Sequence, residues 1–214
     1  MKKLTLIIGI LVATISLQAQ NQEAYIQAMA KGLQSLGEAK SLEQMQSTAA
    51  QFERIAAVAQ DQWEPNYYAA LTLINMSFQK SELKEKDQLT EKAQGFIDAA
   101  LKIAPQHSEV VALQGYKYMI ELSADPQGRG QSMSPIAMQH LGKAISLDPE
   151  NPRANIFMAQ MEAGMAQFFG SPIDKACQRA QKALALFDKA PAEKSFAPSW
   201  GKEAAEEFIG QCSQ

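Results

Sequence analysis

The chain has 214 residues, of which 46% are hydrophobic and 20% charged, with a formal charge of −3. This is a globular composition, sufficient for one sizeable core or a short solenoid. The mild acidic balance, with no basic stripe on any predicted helix, gives no footing for nucleic-acid binding. Ala, Gln, Leu, Met, Glu and Lys recur throughout, and long Val/Ile/Thr alternations are absent. The expected class is therefore all-α.

The chain opens with "MKKLTLIIGILVATISLQAQ": two lysines, an apolar run from Leu4 to Leu17, then small and polar residues. The run is short for a bilayer-spanning helix and suits a secretory signal. Residues 1–19 are read as a signal peptide cleaved after Ala19. The expected localisation is exported: periplasmic, or secreted. No later segment is apolar enough to span a membrane. Next come two amphipathic stretches, "QEAYIQAMAKGLQSLGEA" and "SLEQMQSTAAQFERIAAVAQ", read as a first hairpin over about 22–60.

From residue 62 onward a repeat emerges. "WEPNYYAALTLINMSF" predicts a helix, the charged stretch "QKSELKEKD" a connector, and "EKAQGFIDAALKIAP" a second helix. In the latter, Ala93, Ile97, Ala100 and Pro105 share their spacing with Ala137, Leu141, Ala144 and Pro149 in "SPIAMQHLGKAISLDP". A third copy keeps Ala176, Ala180 and Ala183 but has its proline, Pro191, three residues late. Small residues at +0 and +7 around a larger one at +4 make one helical stripe that a neighbour can approach closely. Proline after the stripe ends the helix. The partner helices are "SEVVALQGYKYMIEL", with Gly115 at the small position, and "PRANIFMAQMEAGM", with Ala159 there. "SADPQGRGQSMSP", residues 123–135, reads as an insertion between helices, carrying Arg129 at its tip. "PSWGKEAAEEFIGQC" predicts a helix that caps the last apolar face.

This pattern resembles the tetratricopeptide repeat, firmly over 62–190 and loosely before it. The minimal repeat of that family is 34 residues. The 44-residue step from Pro105 to Pro149 requires the insertion. The stretches "QFERIAAVAQDQWEPNYYAALTLINMSF" and "PQGRGQSMSPIAMQHLGKAISLDPENPRA" are also similar to exported repeat proteins of Bacteroidota of unknown activity. The resemblance implies an α-solenoid of about four antiparallel hairpins, over 22–60, 62–105, 107–149 and 151–190, with a cap helix at 198–212. It implies that the first helix of each hairpin lines a concave face that holds a protein or peptide. Carried onto this sequence, the groove positions are Asn66, Ala69 and Leu73; Glu109, Ala112, Tyr116 and Met119; and Arg153, Ile156 and Gln160. The family's clamp for a C-terminal carboxylate needs Lys and Asn where this chain has Ala69 and Leu73, so that specificity is not expected.

Cys177 and Cys212 are the only cysteines. An oxidising compartment and antiparallel packing of the last two helices would join them; the alternative is two free thiols. His107 and His140 stand in no metal-ligand spacing, and no nucleophile elbow, P-loop or dinucleotide motif is present. Gly128 and Gly130 around Arg129 could offer amides to an anion, but no strand precedes them, and a lengthened turn is the simpler reading. Glu206 and Glu207 are adjacent and diverge around a helix, which fits a solvated face. The methionines on the first helices of the hairpins, Met76, Met119, Met158, Met161 and Met165, read as core filling. The expected function is a non-enzymatic protein- or peptide-binding adaptor of the cell envelope, with no cofactor and no metal. The alternative is an exported hydrolase or small-ligand-binding protein with a site near Arg129, drawing on Trp200 and nearby carboxylates.

Overall fold

The computed structural model describes residues 2–189 and 196–212, with residues 2–19 described by backbone alone. The expected signal segment 1–19 thus falls outside the described side chains, and Pro191 outside the described residues. Nine α-helices and no strand occur among the described residues. They are α1 (Lys2–Glu38), α2 (Leu42–Val58), α3 (Glu64–Phe78), α4 (Leu83–Ile103), α5 (Ser108–Ala124), α6 (Pro126–Leu147), α7 (Pro152–Phe168), α8 (Asp174–Lys189) and α9 (Lys202–Cys212). Consecutive helices pack as antiparallel neighbours, and α3, α5 and α7 also touch one another along the inner face. This is the helical solenoid expected from the repeat. Among the described residues, no helix is long and apolar enough to cross a membrane.

Local chemistry sets the helix ends. Ser41 and Gln44 form a reciprocal capping box at the start of α2. Asn151 caps α7 by accepting from the Ala154 amide at 2.8 Å, with Pro152 as first helical residue. Asn151 also donates to Ser108 Oγ, which donates to the Ala144 carbonyl at 2.9 Å. That relay ties the end of α6 to the start of α5 and leaves each of these buried polar groups bonded.

The alanine stripes behave as their spacing predicts. Ala93, Ile97 and Ala100, then Ala137, Leu141 and Ala144, then Ala176, Ala180 and Ala183 are all buried. Opposite the second stripe lies Gly115, where a Cβ would stand 2.7 Å from Leu141 Cγ and 3.3 Å from the Leu141 amide nitrogen. At Gly32 in the first hairpin a Cβ would meet the Phe52 ring, 2.7 Å from Cε1, with no backbone atom as near. Helices α5 and α6 thus approach closely at Gly115, where an added Cβ would have to displace Leu141. Helices α3, α5 and α7 are buried nearly all round, because each has neighbours on both flanks and is covered on its inner face as well.

Two connectors differ from the sequence reading. "QKSELKEKD" is mostly the first turn of α4, which begins at Leu83. The 123–135 insertion is not a loop: α6 starts at Pro126 and carries Pro135 inside it. Asp125 accepts from the Gly128 amide at 3.0 Å and Pro126 supplies the first turn, so the segment has a proper helix start despite its glycines. Arg129 is therefore no free cation at a loop tip. Its guanidinium grips Asp87 on α4 through two hydrogen bonds of 2.7 Å and donates to the Glu121 carbonyl. This contact holds the Asp87 carboxyl below its ordinary range.

At the C-terminal end, Cys177 at the start of α8 and Cys212 at the end of α9 form a disulfide. Such a bond fits an oxidising, extracytoplasmic compartment.

Candidate functional site

The face formed by α3, α5 and α7, expected to line the groove, is crossed by the chain itself. The segment Phe196–Gly201, just before α9, lies across α3, α5 and α7 as a strap. Tyr68 donates to the Phe196 carbonyl at 3.1 Å. Trp200 donates its indole N–H to the Tyr67 hydroxyl at 3.1 Å, and its carbonyl accepts from Arg153 Nη1 at 2.7 Å. The indole also packs at a tilt on Tyr116 and Phe157, both 5.8 Å away between centroids, while those two rings stack at 4.4 Å. Gly201 turns the chain into α9 with φ +103°, a conformation that favours glycine, and a Cβ there would meet Phe187 at 3.3 Å.

Beneath the strap is a buried ion pair. Arg153 donates from Nε and Nη2 to the two oxygens of Glu109 at 2.7 and 2.8 Å. Both residues are under 10% exposed. Burial opposes the charge on Arg153, but the hydrogen bonds and charge of Glu109 outweigh it and raise the guanidinium above its usual value. Burial pushes Tyr116 up to about 12 and Tyr67 well above the ordinary phenol range. Both phenols are neutral at physiological pH; Tyr67 accepts from the Trp200 indole and Tyr116 serves as a packing group.

Of the groove positions carried over from the family, the structure brings Glu109, Tyr116 and Arg153 together around Trp200. Asn66 and Leu73 are buried on α3, and Leu73 belongs to the core shared by α1 to α5. Met119 packs in the second core, formed mainly by α6 to α9, and Gln160 is partly exposed on α7. These residues do not form an open groove. Arg129 and Trp200 have separate partners, Asp87 on one side and Tyr67 with Arg153 on the other. His107 packs at a tilt against Trp63 and His140 stacks on Tyr118, and no group of three or more His, Cys, Asp or Glu suited to a metal occurs among the described residues.

An open cavity lies between α1 and α2. It measures about 830 Å³, within the usual range for small-molecule sites of about 300–1,000 Å³. Ala24, Ala28, Ile55, Val58 and Ala59 form its apolar part, and Tyr25, Arg54, Asp61 and the amides Asn21, Gln22, Gln51 and Gln62 line the rest. Val58 is 87% exposed, an unusual position for a β-branched aliphatic residue. Of the four arginines in the chain, Arg129, Arg153 and Arg179 each hold a carboxylate bidentately. Arg54 makes no ion pair among the described residues. Tyr25 is half-buried at the cleft floor, and its hydroxyl is buried without a hydrogen bond of ordinary geometry. Burial, with the Glu64 and Asp61 carboxylates nearby, raises this phenol above its ordinary range.

No protein-family model matches the chain, and no curated protein sequence does. Solved structures do. The HusA haemophore from Porphyromonas gingivalis superposes with a TM-score of 0.78 at 29% identity, over 88% of this chain and 92% of that one. A thermophilic TPR protein of Thermus thermophilus matches with a TM-score of 0.51 at 14% identity, over 92% and 94% of the two chains. The second likeness concerns the fold alone. The chain is an all-helical, tetratricopeptide-like repeat protein, similar over most of its length to a bacteroidotal haemophore.

Proposed function

We propose that this protein is an exported binding protein, without catalysis, for a planar apolar ligand bearing carboxylates, of the tetrapyrrole class. The observation that carries the reading is the contrast between its two faces. The face of α3, α5 and α7 is covered by Phe196–Trp200, whereas the cleft between α1 and α2 is open, mixed apolar and polar, and furnished with Arg54, which has no ion pair among the described residues. Burying flat apolar faces against Ala28, Ile55 and Val58 gives affinity, at about 25 cal/mol per Å² of area removed from water. Arg54 supplies a charge-assisted contact for a carboxylate, which belongs near it and away from Asp61. The likeness to a haemophore, over 88% of this chain, supports a tetrapyrrole among planar acids.

The cleft walls contain no His, Met or Cys. Recognition in this reading therefore rests on the ligand's faces and carboxylates. The adaptor reading, with a partner protein lying along α3, α5 and α7, requires the strap to leave first. Absorbance titration of the purified protein with haemin and with metal-free protoporphyrin IX tests the proposal. Both should give a saturable change at one equivalent. Ala28→Trp, which fills the cleft, should weaken binding at least tenfold, and Arg54→Glu should weaken it several-fold. Absence of a saturable change, or wild-type affinity in Ala28→Trp, refutes the reading.

A further inference from the structure

Tyr25 belongs to two environments at once. It lines the α1–α2 cleft, and its ring meets Phe196 edge-on, with centroids 5.6 Å apart and planes at 86°. Its hydroxyl lies near the Glu64 carboxylate without a hydrogen bond of ordinary geometry, so packing against Phe196 contributes to the ring's orientation. Phe196 is in turn fixed from the other side by the Tyr68 hydroxyl on its carbonyl. Four residues later the strap is fastened again by Tyr67 and Arg153 at Trp200. One end of the strap therefore rests on the cleft wall and the other on the buried Arg153–Glu109 pair. The Cys177–Cys212 bond holds α9 to α8 whether the strap is docked or not.

We infer that the strap Phe196–Gly201 positions Tyr25 for the ligand of the α1–α2 cleft, so that strap docking and ligand binding strengthen each other. This rests on the ligand reading of the cleft. The physical basis is shared ordering of one half-buried aromatic ring. A ligand face laid on Tyr25 restricts the ring that Phe196 also packs against, so whichever contact forms second meets a smaller entropic cost. The coupling is reciprocal: the factor by which the strap tightens the ligand equals the factor by which the ligand tightens the strap. Phe196 is a positioning residue in this scheme, acting on the ligand only through Tyr25.

The test combines porphyrin affinity with hydrogen exchange. Phe196→Ala should weaken protoporphyrin IX binding roughly three- to tenfold, a typical allosteric coupling, and Phe196→Tyr, which keeps the ring, should restore it to within about twofold. Protoporphyrin should slow amide exchange in the strap of the wild type. In the ligand-free protein, Tyr25→Ala should speed that exchange, since the strap loses its partner on α1. Wild-type affinity in Phe196→Ala overturns the positioning role. Unchanged strap exchange in Tyr25→Ala overturns the mechanical link itself, independently of any ligand. Failure of the wild type to bind porphyrin instead overturns the cleft reading, and the coupling to ligand with it.

Discussion

Arg153→Met is the most informative perturbation of the fold. The side chain is 6% exposed and makes three hydrogen bonds: two to Glu109 and one to the Trp200 carbonyl. Methionine fills much of the same volume but leaves the Glu109 carboxylate, itself 9% exposed, without its cation. Breaking a buried pair from one side costs about 3–5 kcal/mol, chiefly through the stranded charge. That is a large share of the roughly 5–15 kcal/mol that holds a domain folded. Removing both charges is a different matter, because replacing a buried ion pair by apolar groups is often close to neutral. Arg153→Met with Glu109→Leu should therefore recover most of the loss. The remaining deficit should be about 1–2 kcal/mol, the scale of the hydrogen bond to the Trp200 carbonyl. Urea unfolding followed by far-ultraviolet circular dichroism measures all three values, and strap exchange separates the Trp200 component. A loss below about 1 kcal/mol in the single variant, or a double variant no better than it, would refute the stranded-charge argument.

Three further outcomes follow from the packing and ionisation. Gly115→Ala should destabilise by about 1–3 kcal/mol through the clash with Leu141, exceeding the roughly 1 kcal/mol gained in helix propensity, and thermal denaturation reads the sign. Cys212→Ser should cost about 4 kcal/mol by chain entropy for a 35-residue separation, and reduction of the wild type should reproduce the shift in urea midpoint. Burial holds both His107 and His140 below the ordinary imidazole value, and Lys143 and Lys117 add to this at His140. The folded state then binds fewer protons than the unfolded one, so stability is greatest above about pH 6.5 and falls as the pH drops through the depressed folded values. The urea midpoint should decline between about pH 7.5 and 5.5 in the wild type, and His107→Asn with His140→Asn should flatten that decline; equal slopes would count against the assignment.

The solenoid was legible because its determinants are local. Ala93, Ile97 and Ala100 and their counterparts repeat at helical spacing with proline behind them, so helix, stripe and stop can be read within one turn-length of each other. Gly115 was visible as the small partner for the same reason. The insertion misled because its Gly and Pro count suggested a turn, while Asp125 followed by Pro126 is a helix start and Arg129 finds its carboxylate 42 residues away. The strap was illegible on the same grounds. Its hydrogen bonds span 47, 128 and 133 residues, and no periodicity announces that Phe196 and Trp200 cover helices so distant in sequence. Two aromatic residues flanking Pro198 in a short connector were the available signal. The groove positions taken from the family assume an uncovered concave face, and only the folded chain reveals what lies on it. The cleft was missed because nothing in the sequence distinguishes Arg54 from the arginines that have partners.

The most direct test of the account is a map of where a porphyrin binds. In amide-resolved NMR of the ¹⁵N-labelled protein titrated with metal-free protoporphyrin IX, the account predicts saturable shifts along Asn21–Ala28 and Gln51–Gln62, with a secondary response in the strap. Shifts confined to the exposed Phe168 and Phe169 turn, or no saturable shifts at all, would contradict it.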